Sequence, residues 1–291
     1  MINFKNIEKI VTHSGHAHRD DFLSVCFTLA MCKEENNLPI LQRRDPTDAD
    51  LNNPNVVVLD IGEQHNPQLS NFDHHQFDRD AEPCCALSLL LKDMTIYKEA
   101  HRGFRWLSVS EKFDSKGPYF VANEIGIDWS KISDATYSPI EEVILHQFSK
   151  FTELNSENSV YALMTEIGSS LIQNLEMFTQ RWNLLETQTE STIINNNEIV
   201  LARGIPGDQD PTFALNSFVS EKYPNAIATV TNDDRGDGLC FYRLNDSNKI
   251  DFSKLENHKF VLFAHKNGFV AKTKTPLNLQ EITELFNLSF A

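Results

Sequence analysis

The apolar positions of this chain follow two rhythms before residue 190 and a third after it. Residues 7–12, IEKIVT, and 55–60, NVVVLD, are short runs rich in β-branched residues, and the second has no polar face. Runs of that kind suit strands of a parallel sheet covered on both sides. Residues 22–32, FLSVCFTLAMC, and 84–94, CCALSLLLKDM, are longer and apolar nearly all round, which predicts two buried helices. Strand, helix, strand, helix implies a parallel sheet with crossover helices.

Further on, Pro139 ahead of IEEVILHQFSKF predicts a helix with proline in its first turn. Residues 158–188 predict one long amphipathic helix or two short ones, and 115–155 otherwise give no clear rhythm. From 191 the alternation becomes strand-like. Residues 191–204 predict two strands around a turn at Asn195–Asn197. A hairpin over IATVTNDDRGDGLCFYRL, the segment KFVLFAHKNGFVAKT and a final helix over LNLQEITELFNL follow. The expected fold is α/β: an N-terminal parallel-sheet domain over residues 1–190, closing with the long helix, and a smaller α+β domain over 191–291.

Composition narrows the class. The 291 residues are 41% apolar, enough for one large or two ordinary cores. No run approaches the roughly 20 apolar residues that span a bilayer, and no charged-then-apolar leader opens the chain. Five cysteines, two of them adjacent at 84 and 85, form neither a disulfide framework nor a zinc ribbon and suggest reduced thiols in the cytoplasm. A net charge of −15, from 26 basic and 41 acidic residues, argues against loose electrostatic binding to long nucleic acid. It leaves room for a metal-dependent site acting on a short nucleotide chain, because bound cations reverse the local potential. A homo-oligomer is compatible with the sequence, and no membrane partner is expected.

The polar residues at the ends of the predicted strands are the chemistry of interest. His13, His16, His18, Asp20 and Asp21 follow the first strand, Asp60 ends the second, and Asp73, His74 and His75 come shortly after. Ligand sites in parallel sheets lie beyond the carboxyl ends of the strands, so these groups should converge. Mixed imidazole and carboxylate donors suit manganese, iron, cobalt or zinc. Two divalent ions a few ångströms apart can clamp a phosphate, with an aspartate shared between them.

The order THSGHAHRDDFLS, VVVLDIG, FDHHQF resembles the successive motifs of DHH-type phosphoesterases. It is most similar to those of the melanocyte-proliferating-gene-product family, metal-dependent RNA exonucleases with a His-x-Gly-x-x-His-x-Asp opening. Here that opening is His13, Gly15, His18 and Asp20. SEKFDSKGP, with Glu111, Asp114 and Gly117, is a looser counterpart of a fourth motif. FVLFAHKNGF, with His265, Gly268 and Phe269, resembles a segment near the family's C-terminus.

The resemblance implies a metal-dependent phosphoesterase, a 3′–5′ exonuclease on RNA or short oligonucleotides, holding two divalent ions, Mn2+ first and Mg2+, Co2+ or Zn2+ as alternatives. It implies His13, His18, Asp20, Asp60, His74 and Asp114 as ligands, with Asp60 bridging. His75 would contact the phosphate or protonate the leaving oxygen, and Asp73 would orient a histidine. His16 has no counterpart and should face solvent, while Asp21 reads as a helix-start charge. In the second domain, His265, Lys266, Asn267 and Gly268, in a lysine-rich stretch without acids, and Arg203 are candidate substrate contacts. Two other readings stay open: a hydrolase of pyrophosphate or a cyclic dinucleotide, and a non-catalytic metal- or nucleotide-binding protein.

Overall fold

The computed structural model describes residues 2–136, 138–206 and 212–291, with side chains of 133–136 and 206 left aside. The chain divides into two compact units, Met1–Leu175 and Glu176–Ala291. The division falls inside one helix, Ser159–Gln188, which is a single element of 30 residues.

The first unit is built on a six-stranded sheet. In chain order its elements are β1 (Lys9–Thr12), α1 (Arg19–Glu34), β2 (Ile40–Arg43), α2 (Asp48–Leu51), β3 (Val56–Leu59), β4 (His65–Asn66), β5 (Asn71–Phe72), α3 (Ala86–Asp93), α4 (Tyr97–Gly103), α5 (Leu107–Lys116), α6 (Pro118–Ile125), α7 (Trp129–Thr136), α8 (Pro139–Ser149), β6 (Glu153–Leu154) and α9, the long helix above. The strand order is β4-β5-β3-β1-β2-β6. β1 pairs in parallel with β2 on one side and β3 on the other, and β3 continues in parallel to β5. The two edge strands run antiparallel.

β1 and β3 form as expected. Every residue of β3 is buried, and in β1 only Lys9 is partly exposed. β2 carries no clear sequence signal, because its four residues alternate between exposed and buried and one inward residue is an arginine, Arg43. α1 is buried on most of its circumference, from Asp20 through Cys32. One close approach depends on a glycine: a Cβ on Gly168 of α9 would meet the Cys26 carbonyl oxygen of α1 at 2.0 Å. Only a residue without a side chain lets the two backbones come so near.

The consequence for function is topological. The chain leaves β1 for β2 on one side and returns to β3 on the other. The loops after β1 and β3 therefore open a crevice at the carboxyl ends of two adjacent strands, where open α/β sheets bind ligands.

The second unit carries β7 (Glu190–Ile194), β8 (Asn197–Pro206), α10 (Ala214–Lys222), β9 (Ala228–Asn232), β10 (Leu239–Arg243), β11 (Val261–Ala264), β12 (Val270–Thr273) and α11 (Leu279–Ser289). Its sheet runs β11-β12-β10-β9-β8-β7, antiparallel except for β8 and β9. The predicted turn, hairpins and final helix are all present. One apolar cluster joins the sheet to α11 through Phe241, Phe252 and Phe286, and a second gathers around Trp182 and Phe218. The architecture is α/β with a parallel-rich sheet first and a smaller α+β unit after it.

Candidate metal centre

His13 and Asp60 stand where β1 and β3 stop. Asp60 adopts φ 58°, the left-handed region that non-glycine residues seldom occupy. Its backbone N–H still donates to the Phe72 carbonyl at 3.0 Å. The residue thus leaves the strand sharply while pinned to β5, a local strain of the kind stored at functional sites. Gly15, with φ +81°, turns the loop that brings His18 back beside His13, their rings 5.4 Å apart.

Three groups of donor atoms form, each within 4.8 Å: His13, His18 and Asp60; Asp20, Asp60, His74 and Asp114; and Asp60, Asp73, His74 and His75. Asp60 belongs to all three. His74 Nε2 lies 3.2 Å from Asp60 Oδ1 and 2.7 Å from Asp114 Oδ2. The six candidate ligands from four separate segments are therefore in one place. Asp114 arrives on α5, one turn beyond Glu111, which is buried and accepts a hydrogen bond from the Tyr97 hydroxyl at 2.8 Å.

The donors fit a divalent cation. Both Asp20 oxygens are buried and accept no hydrogen bond among the described residues. Burial first, then the charges of Asp60, Asp114 and Asp21, push the Asp20 carboxyl well above its usual range. A buried carboxylate with no partner is costly unless a cation sits against it. His74 shows the same demand: burial opposes its charge, yet Asp114 and Asp60 outweigh this and push it up to about 11. A proton at that position does what a metal ion would do there, which is to neutralise clustered carboxylates.

Asp73 and His75 form a separate pair. Asp73 is buried and accepts from the backbone N–H of Glu63 at 2.6 Å and of His75 at 3.1 Å. Its Oδ1 lies 2.7 Å from His75 Nδ1. Burial works against the Asp73 carboxylate, but these hydrogen bonds hold it below the ordinary range. The bond to Asp73 raises His75, whose side chain is 57% exposed and so open to a ligand.

His16 is exposed, as expected. Asp21 is more than a helix-start charge. It is fully buried, and its Oδ1 accepts the His18 backbone N–H at 2.7 Å, closing the first turn of α1. Its Oδ2 faces His13 Nε2 at 3.3 Å and Arg43 Nη2 at 3.7 Å. Burial lifts this carboxyl to about 7. Arg43 is the residue that sequence reasoning missed. Buried beneath the loop, it donates to the Gly15 carbonyl at 3.2 Å and stacks on Phe148 at 4.4 Å. A cation at an inward position of a short strand was the available signal.

A cavity of about 400 Å³ opens beside the centre, lined by His18, Asp20, Asp114, Val109 and Phe113. Arg19 and Glu141 also line it. His265 Nδ1 accepts the Asn267 N–H at 3.1 Å, and Lys266 and Asn267 are exposed. Gly268, at φ +68°, donates its N–H to the His265 carbonyl at 2.8 Å, and a Cβ there would meet Asp251 at 2.0 Å. Arg203 is paired with Glu190 at 3.0 Å. Of the four lysines in this stretch, Lys272 meets Asp233 at 2.5 Å and Lys274 donates to the Lys259 carbonyl at 2.9 Å. Lys259 lies 4.5 Å over the Phe260 ring.

A sheet whose strand ends gather histidines and aspartates around one shared carboxylate defines a candidate metal-binding α/β protein. Residues 9–83 match the MYG1_exonuc model, described as an uncharacterised protein family (UPF0160). The chain is 38% identical over 68 residues to a MYG1 exonuclease of Rattus norvegicus and 40% identical over 68 residues to one of Mus musculus. Each match covers 23% of this chain and 17% of the relative's length. Over this segment the resemblance read from the motifs holds. Two solved structures also align, both at 10% identity. The exopolyphosphatase-related protein of Bacteroides fragilis aligns over 97% of this chain and 91% of its own, with a TM-score of 0.26. RecJ of Thermus thermophilus in complex with Mn2+ aligns over 98% and 51%, with a TM-score of 0.27.

Proposed function

We propose that this protein is a metal-dependent phosphodiesterase, acting as a 3′–5′ exonuclease on RNA or short oligonucleotides through a dinuclear centre. The single observation that carries the reading is the position of Asp60, common to His13 and His18 on one side and to Asp20, His74 and Asp114 on the other. That division gives one carboxylate two sets of neighbours, the arrangement a bridging ligand requires. The match of residues 9–83 to the MYG1_exonuc model supports it.

When bound, a pair of divalent ions, Mn2+ first, supplies Lewis acidity and a reactive water for in-line displacement at phosphorus. His13, His18, Asp20, His74 and Asp114 would hold the pair, with Asp60 shared. Asp73 favours a proton on His75 Nδ1 and so leaves Nε2 as the ring atom for a substrate oxygen. The same bond raises His75 and so favours its doubly protonated form, whose Nε2 proton would pass to the leaving oxygen while the Nδ1 proton stays hydrogen-bonded to Asp73. Asp21 and Arg43 keep the His13 loop in register. We assign catalysis to the first unit and further substrate contacts to the second, through His265, Lys266, Asn267, Gly268 and Arg203. Among the described residues no helix is long and apolar enough to cross a membrane. The five cysteines are buried and none forms a disulfide among the described residues, which suits a reducing cytoplasm.

The test is hydrolysis of short oligonucleotides with manganese by the wild type and Asp60→Ala, with elemental analysis after manganese loading. Activity lost in the variant and two ions in the wild type are expected. Full activity in the variant overturns the reading, and fewer than two ions overturns the dinuclear centre. The net charge of −15 favours a second reading, hydrolysis of a small phosphate such as pyrophosphate or a cyclic dinucleotide. Product analysis on those substrates beside RNA separates the two.

A further inference from the structure

The cavity beside the metal centre has a strong charge asymmetry. Asp20, Asp114 and Glu141 line it, and Arg19 is the one Lys or Arg among its lining residues. Arg19 is the first residue of α1, adjacent to Asp20. Its guanidinium is gripped by Glu141 from α8, Nε to Oε1 at 2.6 Å and Nη2 to Oε2 at 2.7 Å. Nη1 also donates to the Ser110 hydroxyl at 3.3 Å. Two parallel bonds to two oxygens are the geometry with which arginine holds a phosphate.

The two side chains are 33% and 31% exposed, so a ligand can reach the guanidinium. The pair also stands at a boundary. Arg19 and Glu141 line both the cavity facing the centre and a neighbouring apolar pocket of about 390 Å³ that includes Phe22, Trp106 and Ile144. Among the described residues, an anionic substrate entering the first cavity meets three carboxylates, one of them Asp20 with no hydrogen-bond partner, and a single Lys or Arg that already has an anionic partner.

We propose that Arg19 is the residue that anchors a phosphate of the substrate, and that Glu141 occupies its guanidinium until a phosphate displaces it. The ligand class is a phosphate of a short oligonucleotide, with the adjoining apolar pocket able to take the attached base. Glu141 then sets specificity by competition: a ligand must offer two phosphate oxygens in the fork plane to replace the carboxylate. This rests on the reading of the centre as a phosphoester site.

The experiment is binding of the dinucleotide pApA, followed by NMR titration of the metal-free protein, for wild type, Arg19→Ala, Arg19→Lys, Glu141→Gln and the double variant Arg19→Ala/Glu141→Gln. Arg19→Ala should weaken binding about tenfold or more, the loss expected for charge-assisted hydrogen bonds. Arg19→Lys should restore only part, because a point charge cannot form the paired bonds. Glu141→Gln should tighten binding about two- to fivefold, the worth of an exposed ion pair. In the double variant that gain should vanish. Should Glu141→Gln misfold by circular dichroism, Glu141→Ala replaces it.

Arg19→Ala binding as tightly as wild type overturns the anchor, and Glu141→Gln binding no tighter than wild type overturns the competition. Inorganic phosphate, run in parallel, separates recognition of an oligonucleotide from recognition of any phosphate: equal affinity for both overturns the assigned ligand class. Manganese-dependent hydrolysis is measured on the same proteins. Absent hydrolysis with the expected binding pattern sinks the phosphodiesterase reading and leaves Arg19 standing. Hydrolysis by the wild type with an unchanged KM in Arg19→Ala does the reverse.

Discussion

Arg43 Nη2 lies 3.7 Å from Asp21 Oδ2, and both side chains are buried to within a few per cent. The pair sits under the loop that carries His13 and His18, tying β2 to the first turn of α1. Removing one member of a buried pair leaves the other uncompensated, at about 3–5 kcal/mol. Arg43→Met should therefore destabilise the first unit by about that amount in urea unfolding. A loss below about 1 kcal/mol would show that Asp21 is neutralised by a proton once Arg43 is removed, as its raised carboxyl permits.

Asp20 should behave in the opposite sense. Its carboxylate crowds Asp60 and Asp114 and has no hydrogen bond among the described residues. With chelator present, Asp20→Asn should raise the melting temperature, by about 2–4 °C for each kcal/mol of relieved repulsion. With manganese present, the wild type should gain stability and the variant should gain less. Equal manganese-induced shifts in both would remove Asp20 from the ligand set.

Asp50 gives a pH dependence away from the centre. Arg44 at 2.8 Å, the Thr47 backbone N–H at 2.9 Å and Lys9 at 3.2 Å all donate to its carboxylate. The Arg44 bond is the largest cause of a carboxyl held far below its usual range. A carboxyl depressed in the folded state stabilises at pH above its unfolded value, about 3.9, and that stability is lost as pH falls through the folded value. Asp50→Asn should cost about 1–2 kcal/mol at pH 7, discounted because Lys9 and Arg44 are partly exposed. The gap to wild type should narrow below about pH 4, and a gap constant from about pH 7 to about pH 2 would refute the assignment.

Gly168→Ala should separate α9 from α1. The added methyl would sit 2.0 Å from the Cys26 carbonyl oxygen and 2.9 Å from the Ala30 Cβ, so backbone has to move. Overpacking of this kind costs about 1–3 kcal/mol. Thermal unfolding measures it, and an unchanged or higher midpoint would show that the crossing yields freely.

Elements with a local signal are legible in the order of residues alone. The apolar runs of β1, β3, α1 and α3 coincide with the elements that form, because burial on all sides leaves no polar face to confuse the period. Pro139 at the start of α8 is equally local. The positions of His13, Asp20, Asp60 and His74 are legible for the same reason, since each follows directly from a strand end or helix start. β2 is not legible, because only two of its four side chains are buried and one of these is charged. Nor are the pairings of Arg43 and Glu141, whose partners Asp21 and Arg19 lie far off along the chain. Those pairings come from the three-dimensional arrangement. The partner of a long charged side chain is set by which strand lies beside which and which helix crosses above. The strand order that places β3 next to β1 is what brings Asp60 between His13 and His74.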